Sequence, residues 1–430
     1  MSSLTFVGLL LLFLFAGIPV AFALGLAGTV IAMWEGIFNP ILISHIMYSQ
    51  GIDSFPLLAV PFFILAGALM EQGGISRRLV DFALFLVGRI RGGLGQVAVL
   101  TGMFFGGITG SAIADASAVA SVLIPAMKKK NYDPAFSAAL AATAGAMGPI
   151  IPPSISMVIY GYITNTSVAS LFLGGIIPGV LFGVSLMIYV YFYAKKRNLP
   201  KEDVEISITN FLTVLKRGIL PLLMPLIILG GVFAGVFTAT ESAVVAVAYA
   251  FIVSYFVYRQ LPLKKMPTIL ADSAKTTASI MFILGMASFL SWVITSQQIP
   301  QQVAQAFFQV SDNPWVIIIM LNILMLILGA FIDPASILIL ITPIALPIIK
   351  QIGMDPVHFG VVLTVNLCIG ALYPPVGELL FVTSRIGNVN YVDISKAVIP
   401  MVLVVIGVLL LISLVPDTVM YLPRLFGPAK

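Results

Sequence analysis

Long apolar runs follow one another almost from end to end of this chain, with only isolated polar residues between them. Between Arg91 and Lys128, Asp115 is the only acidic or basic side chain. Runs like this have few places to fold. A helix that crosses a bilayer needs about 20 apolar residues. In hydrocarbon every backbone polar group must be satisfied within the protein, which favours helices. Charged residues make up 9% of the chain and mean hydropathy is +1.10, whereas a soluble domain carries about 25% charged residues. The expected fold is an all-α polytopic membrane protein with roughly ten to thirteen membrane segments, some of them incomplete.

The net charge of +5 does not point to nucleic acid. The basic residues sit in short groups at the ends of apolar runs, the pattern of cytoplasmic loops. Cys368 lies in an apolar run and reads as a buried structural thiol. His45 and His358 are too few and too far apart for a metal site. The opening run, Leu4–Met33, has no basic flank and is too long for the core of a cleavable signal, so none is expected.

Two apolar runs are broken in the same way. Residues 148–154 read GPIIPPS and residues 370–377 read GALYPPVG. Proline removes a backbone donor and clashes with the preceding turn, so each cluster should interrupt a helix. The breaks are in register. Asp133-Pro134 precedes Pro152-Pro153 by the same spacing that separates Asp355-Pro356 from Pro374-Pro375. Pro125 and Pro347, Gly107 and Gly329, and Ser111 and Asp333 match under the same shift. An internal structural repeat is expected. Paired breaks of this kind are the best pointer to the binding site of a transporter, because freed carbonyls coordinate cations and helix N-termini attract anions. A kink that serves only packing is the competing reading.

The stretches upstream of the breaks suit hairpins that enter the membrane and return. Residues 101–127 are rich in Gly, Ser, Thr and Ala, which permits close helix approach. The tip is expected around Gly110–Ala114, with Thr109, Ser111 and Ser117 offering oxygen. The equivalent stretch, 328–347, carries Asp333-Pro334 at its tip. Asp333 reads as a Na⁺ ligand or near neighbour, as a helix N-cap, or as both. Asp115 reads as a packing or hydrogen-bonding group, or as a functional one. Lys195–Gly218 is the longest polar stretch. Val204, Ile208, Leu212 and Leu215 have helical spacing there, and a surface helix held on the cytoplasmic side by Lys195–Arg197 and Lys216–Arg217 is expected, with a plain solvated loop as the competing reading. The chain has no His-Glu-x-x-His and no Gly-x-x-x-x-Gly-Lys loop, so an intramembrane enzyme and an ATP-driven pump are disfavoured.

The stretch GGITGSAIADASAVASVLIPAMKKKNYDPAFSAALAATAGAMGPIIPPSI resembles the large membrane subunit of tripartite ATP-independent periplasmic (TRAP) transporters. GVFTATESA (235–243) and ILGAFIDPASILILITPIALPI fit the same pattern, and the resemblance runs through nearly the whole chain. It implies a sodium-coupled, elevator-type importer with inverted repeats, two re-entrant hairpins and two broken helices. The implied division is scaffold over 1–60, a first transport repeat over 61–170, and scaffold over 171–265 with a surface arm at about 195–217. A second transport repeat over 266–400 and a C-terminal helix over 401–430 complete it. The hairpins are expected at about 85–127 and 315–350, and the broken helices at about 135–165 and 356–386.

The implied partners are a separately encoded small membrane subunit of four helices, a periplasmic binding protein and an organic acid such as sialic acid or a C4-dicarboxylate. The implied setting is a bacterial or archaeal inner membrane. Carried over by position, one Na⁺ would lie among Thr109, Ser111, Gly148, Ile151 and Pro153. The repeat then places a second among Gly329, Asp333, Gly370, Tyr373 and Pro375, with Thr342 or Thr364 as substitutes. Ala112, Asp115, Glu378 and Arg385 are the expected substrate contacts, with an anchor at the cytoplasmic end as the equal alternative for Arg385. A stand-alone sodium/dicarboxylate symporter of related hairpin architecture is the alternative.

Overall fold

The computed structural model describes residues 8–427 except Leu11, Phe15, Gln50 and 204–206. Among the described residues every regular element is helical. Five helices are long and apolar enough to cross a membrane: Val168–Arg197, Ala239–Val257, Leu263–Ser296, Pro334–Gln351 and Tyr391–Leu414. Two further candidates are bent pairs, Pro56–Gln72 with Ile75–Val87 at 75° and Ile208–Lys216 with Gly218–Phe233 at 55°. The chain is a multi-pass membrane protein. Other apolar helices are shorter, among them Gly93–Thr109, Ile155–Thr164, Pro314–Gly329 and Pro356–Gly370. Full-length spans are therefore fewer than apolar runs, because glycine and proline stop several runs partway.

The stops follow from local chemistry. Helices Gly93–Thr109 and Ala112–Lys129 are joined by Gly110 and Ser111, and Gly110 has φ +62°, the left-handed region open to glycine. Helix Pro134–Gly145 gives way to a non-helical stretch over 146–154 before helix Ile155–Thr164. The second half has the same order. Helices Pro314–Gly329 and Pro334–Gln351 meet at 330–333, and helix Pro356–Gly370 breaks over 371–377 before helix Glu378–Gly387. The Asp-Pro pairs at 133–134 and 355–356 start the two broken helices. Asp133 accepts from the backbone N–H of Ala135 at 2.8 Å, and Asp355 from that of Val357 at 2.7 Å, each with Pro at the first helical position. Pro152-Pro153 and Pro374-Pro375 are both cis.

Small residues let hairpin and broken helix touch backbone to backbone. A Cβ on Gly102 would strike the backbone of Ala144, and one on Gly145 that of Ala116. In the second half a Cβ on Gly329 would lie 2.9 Å from Gly370 Cα, and one on Gly370 would lie 2.8 Å from Gly329 Cα. Without an aqueous driving force between helices, such close packing carries the association.

One end of the bundle is basic. Lys130 pairs with Glu202 at 3.3 Å, Lys128 Nζ donates to the Gly387 carbonyl at 2.6 Å, and Glu202 N–H donates to Gly88 at 3.0 Å. The surface arm differs from the expected helix over 195–217. Lys195–Arg197 end the long Val168–Arg197 helix, Asn198 closes it at φ +51°, and Pro200 cannot continue it. A new helix starts only at Ile208, capped by Ser207, and bends before Gly218. Val204 and the side chain of Arg217 lie outside the described residues.

A buried polar network ties three helices together. Asn366 Nδ2 donates to the Asn322 carbonyl at 3.0 Å and to Asn322 Oδ1 at 2.9 Å, and Asn322 Nδ2 donates to Ser413 Oγ at 3.0 Å. Truncating Asn366 strands buried acceptors, which costs about 1–3 kcal/mol. Asn366→Ala is expected to lower the thermal unfolding midpoint of the purified protein. An unchanged midpoint would show that the network does not stabilise the fold.

Candidate ion and substrate site

The first hairpin tip rests against the first break. A Cβ on Gly110 would lie 2.6 Å from the Pro153 carbonyl oxygen, and one on Gly106 would lie 3.1 Å from Met147 O and 3.2 Å from Ile151 Cβ. Gly148 faces the tip closely enough that a Cβ there would meet Asp115 Oδ2 and the Ser111 carbonyl. Thr109, Ser111, Gly148, Ile151 and Pro153 are thus brought together. Ser111 caps its helix and accepts from Ala114 N–H at 3.5 Å, while its own N–H donates to Thr109 Oγ1 at 3.1 Å. Thr109 Oγ1 donates to Asp115 Oδ1 at 2.5 Å. Asp115 is fully buried and its Oδ2 has no hydrogen-bond partner.

Asp115 does not line the substrate cavity; it takes a hydrogen bond within the hairpin, the first of its two readings, and is not the substrate contact that the resemblance implied. It sits one helical turn in from the tip, and the helical rotation turns it toward Thr109 and the break. A buried carboxylate with an open oxygen calls for a cation or a proton. Ser117 does not serve the tip either, because it donates to its own Ile113 carbonyl at 2.7 Å.

In the second half Gly329 and Gly370 are in backbone contact, Val376 N–H donates to Ala330 O at 3.1 Å, and Tyr373 OH donates to Leu326 O. Asp333 is an N-cap: it accepts from Ser336 N–H at 3.0 Å and from Ser336 Oγ at 2.6 Å. The Pro375 carbonyl accepts from Tyr391 OH at 3.1 Å, a partner not signalled by the sequence. Thr342 and Thr364 bond carbonyls of their own helices, at 2.5 and 2.8 Å.

Both tips and both breaks open on one cavity of about 570 Å³. Four helices begin at its wall: Ala112–Lys129, Ile155–Thr164, Pro334–Gln351 and Glu378–Gly387. Each brings the positive end of its dipole, while first-turn N–H groups are already taken by Ser111, Ser154, Asp333 and the carbonyls of Ala371 and Gly377. Ala112, Asp333 and Glu378 line the cavity, and Arg385 does not. It lies near the far end of its helix, exposed. Among the described residues no Lys, Arg or His lines the cavity. Glu71, Ser156 and Thr276 also line the cavity. Sequence reasoning missed these three: Glu71 and Thr276 lie outside both hairpins and both breaks, and Ser156 sits just past the first break, where only the proline cluster drew attention.

Residues 7–418 match the family model described as "Tripartite ATP-independent periplasmic transporter, DctM component". The chain belongs to this family. The TRAP relatives it resembles include the "Sialic acid TRAP transporter large permease protein SiaM" of Vibrio cholerae, 40% identical over 96% of each chain. The "C4-dicarboxylate TRAP transporter large permease protein DctM" of Pseudomonas aeruginosa is 40% identical over 87% of this chain and 88% of that one. The "Isethionate TRAP transporter permease protein DctMQ" of Oleidesulfovibrio alaskensis is 39% identical over 96% of this chain. There this TRAP chain spans 65% of the relative's length. Among solved structures, the YdaH transporter of Alcanivorax borkumensis shares the fold, with a TM-score of 0.57 and 13% identity over 83% of this chain and 85% of that one.

Proposed function

We propose that this TRAP large subunit imports a small organic acid, driven by Na⁺, from a periplasmic binding protein docked on a complex with a small four-helix membrane subunit. The observation that carries this reading is the convergence of four helix N-termini on one cavity that no basic side chain lines among the described residues. Helix N-termini favour an anion without a fixed counter-charge. The carboxylates Glu71, Asp333 and Glu378 on the same wall oppose a bare anion, so cations must enter with it. The first Na⁺ would sit among Thr109, Ser111, Gly148, Ile151 and Pro153, with Asp115 Oδ2 supplying the negative charge. The second would sit among Gly329, Asp333, Gly370, Tyr373 and Pro375. The relatives named above carry sialic acid, C4-dicarboxylate or isethionate in their names, and the cargo here is placed in the same class of small organic acids.

In this reading the two hairpin-and-break units, within 61–170 and 266–400, are inverted repeats of a transport domain. That domain moves as an elevator against a scaffold formed by 1–60 and 171–265. The basic end of the bundle faces the cytoplasm by the positive-inside rule, and the membrane is the inner one. The chain is a carrier and not an enzyme.

Reconstitution with both partners in liposomes tests the reading. Uptake of a candidate acid should require a Na⁺ gradient and the binding protein together. Uptake with Na⁺ alone would identify a stand-alone symporter, and uptake indifferent to Na⁺ would overturn the coupling. Ser111→Ala and Asp333→Ala should each weaken the Na⁺ dependence while leaving assembly with the partners intact. If both variants keep the wild-type dependence, the two ion assignments are wrong.

A further inference from the structure

A second cavity, of about 690 Å³, lies along a helix that also lines the first. Thr276, Ile280, Leu284, Ser288, Ser291 and Thr295 recur every three or four residues and so share one face of helix Met266–Ser296. The first two line the inner cavity and the other four line the outer one. Ile280 and Leu284 form an apolar step between the two spaces. Thr276 and Ser291 stand about 22 Å apart along an ideal helix.

The outer cavity is chemically unlike the inner one. No charged residue lines it among those described. Its polar side chains are the hydroxyls of Ser49, Ser288, Ser291, Thr295 and Ser296 and the amide of Asn165, set beside the rings of Tyr162 and Trp292. Asn165 and Thr295 are exposed, so the cavity opens at that end. An anion finds no counter-charge there. A wholly apolar ligand would return no hydrogen bond to this polar lining. Neutral donors and acceptors beside aromatic faces suit a chain of carbons bearing many hydroxyls: the hydroxyls bond to Ser, Thr and Asn, and the C–H faces pack on the rings.

We propose that this outer cavity is a second ligand site, one that takes a polyhydroxylated group, either a free polyol or the hydroxylated tail of a sugar acid on its way to the inner cavity. The placement on the cargo path rests on the transport reading; the binding chemistry does not.

The chain has three tryptophans, so 5-fluorotryptophan labelling of the full-length protein gives a small set of ¹⁹F resonances, and Trp292→Phe assigns one of them. Sorbitol and gluconate should each shift the Trp292 resonance in a saturable way, and succinate should not. Ser291→Ala with Thr295→Val should raise the apparent Kd for sorbitol about tenfold, as expected for the loss of two neutral hydrogen bonds, with the protein still folded by its thermal unfolding. No Trp292 shift with sorbitol, or an equal shift with succinate, would overturn the proposal. A saturable sorbitol shift in a protein that shows no Na⁺-driven uptake with its partners would leave this site standing and remove the transport reading instead.

Discussion

Asp115→Ala is expected to raise the Na⁺ concentration for half-maximal uptake by about 100-fold, with a folded protein that still assembles with its partners. The reason is local. Asp115 is fully buried, one oxygen takes the Thr109 hydroxyl at 2.5 Å, and the other faces Gly148 without a partner. A buried carboxylate in that state is stabilised by a cation bound beside it. Even outer groups that orient metal ligands cost 10–100-fold in affinity when removed, which sets the scale. Asp115→Asn separates charge from shape. It keeps the volume and an oxygen for Thr109 but cannot neutralise a cation, so it should resemble the alanine variant. Wild-type Na⁺ affinity in Asp115→Asn would mean that the carboxylate only orders the tip.

The second large effect belongs to the glycine crossing. Gly329→Val or Gly370→Val is expected to destabilise the protein by about 3 kcal/mol, the upper part of the range for overpacking, and to abolish uptake. Backbone stands against backbone there, with Cβ positions 2.8–2.9 Å from the opposing Cα, so no side chain can swing aside to make room. Prying the second hairpin from the second broken helix would also separate the groups assigned to the second ion. Gly407→Val is the control, since a Cβ at Gly407 meets nothing within 4 Å. Thermal unfolding and uptake of the three variants decide the matter. If the crossing variants match Gly407→Val, the contact does not hold the site together.

The punctuation of this molecule was legible in its sequence because it is backbone chemistry. Proline and glycine act through the chain itself, so the stops at Gly110, at 146–154 and at 371–377 are found where Gly and Pro cluster. The Asp-Pro pairs announce helix starts for the same reason. Direction was harder. Asp115 was read both as a hydrogen-bonding group of the hairpin and as a substrate contact; a helical turn rotates it into the break and keeps only the first, and rotation depends on where the helix begins to within a residue. Of the two readings of Arg385, substrate contact or end anchor, its exposed place at the far end of its helix leaves it outside the cavity wall. Glu71 and Thr276 were invisible, because they reach the cavity by tertiary packing from outside the hairpins and the breaks. The surface arm was overextended because Asn198 and Pro200 outweigh the apolar spacing that runs past them.

The central claim is that the two tips and two breaks form a centre that holds Na⁺. The most direct measurement is the thermal unfolding midpoint of the purified protein at rising NaCl, with choline chloride keeping ionic strength constant. A ligand that binds only the folded state stabilises it by about 2.7 kcal/mol at 100 times its Kd. The account predicts a saturable rise in midpoint with Na⁺, absent with choline and strongly reduced in Asp115→Ala. Equal midpoints in NaCl and choline chloride across the whole range would contradict it.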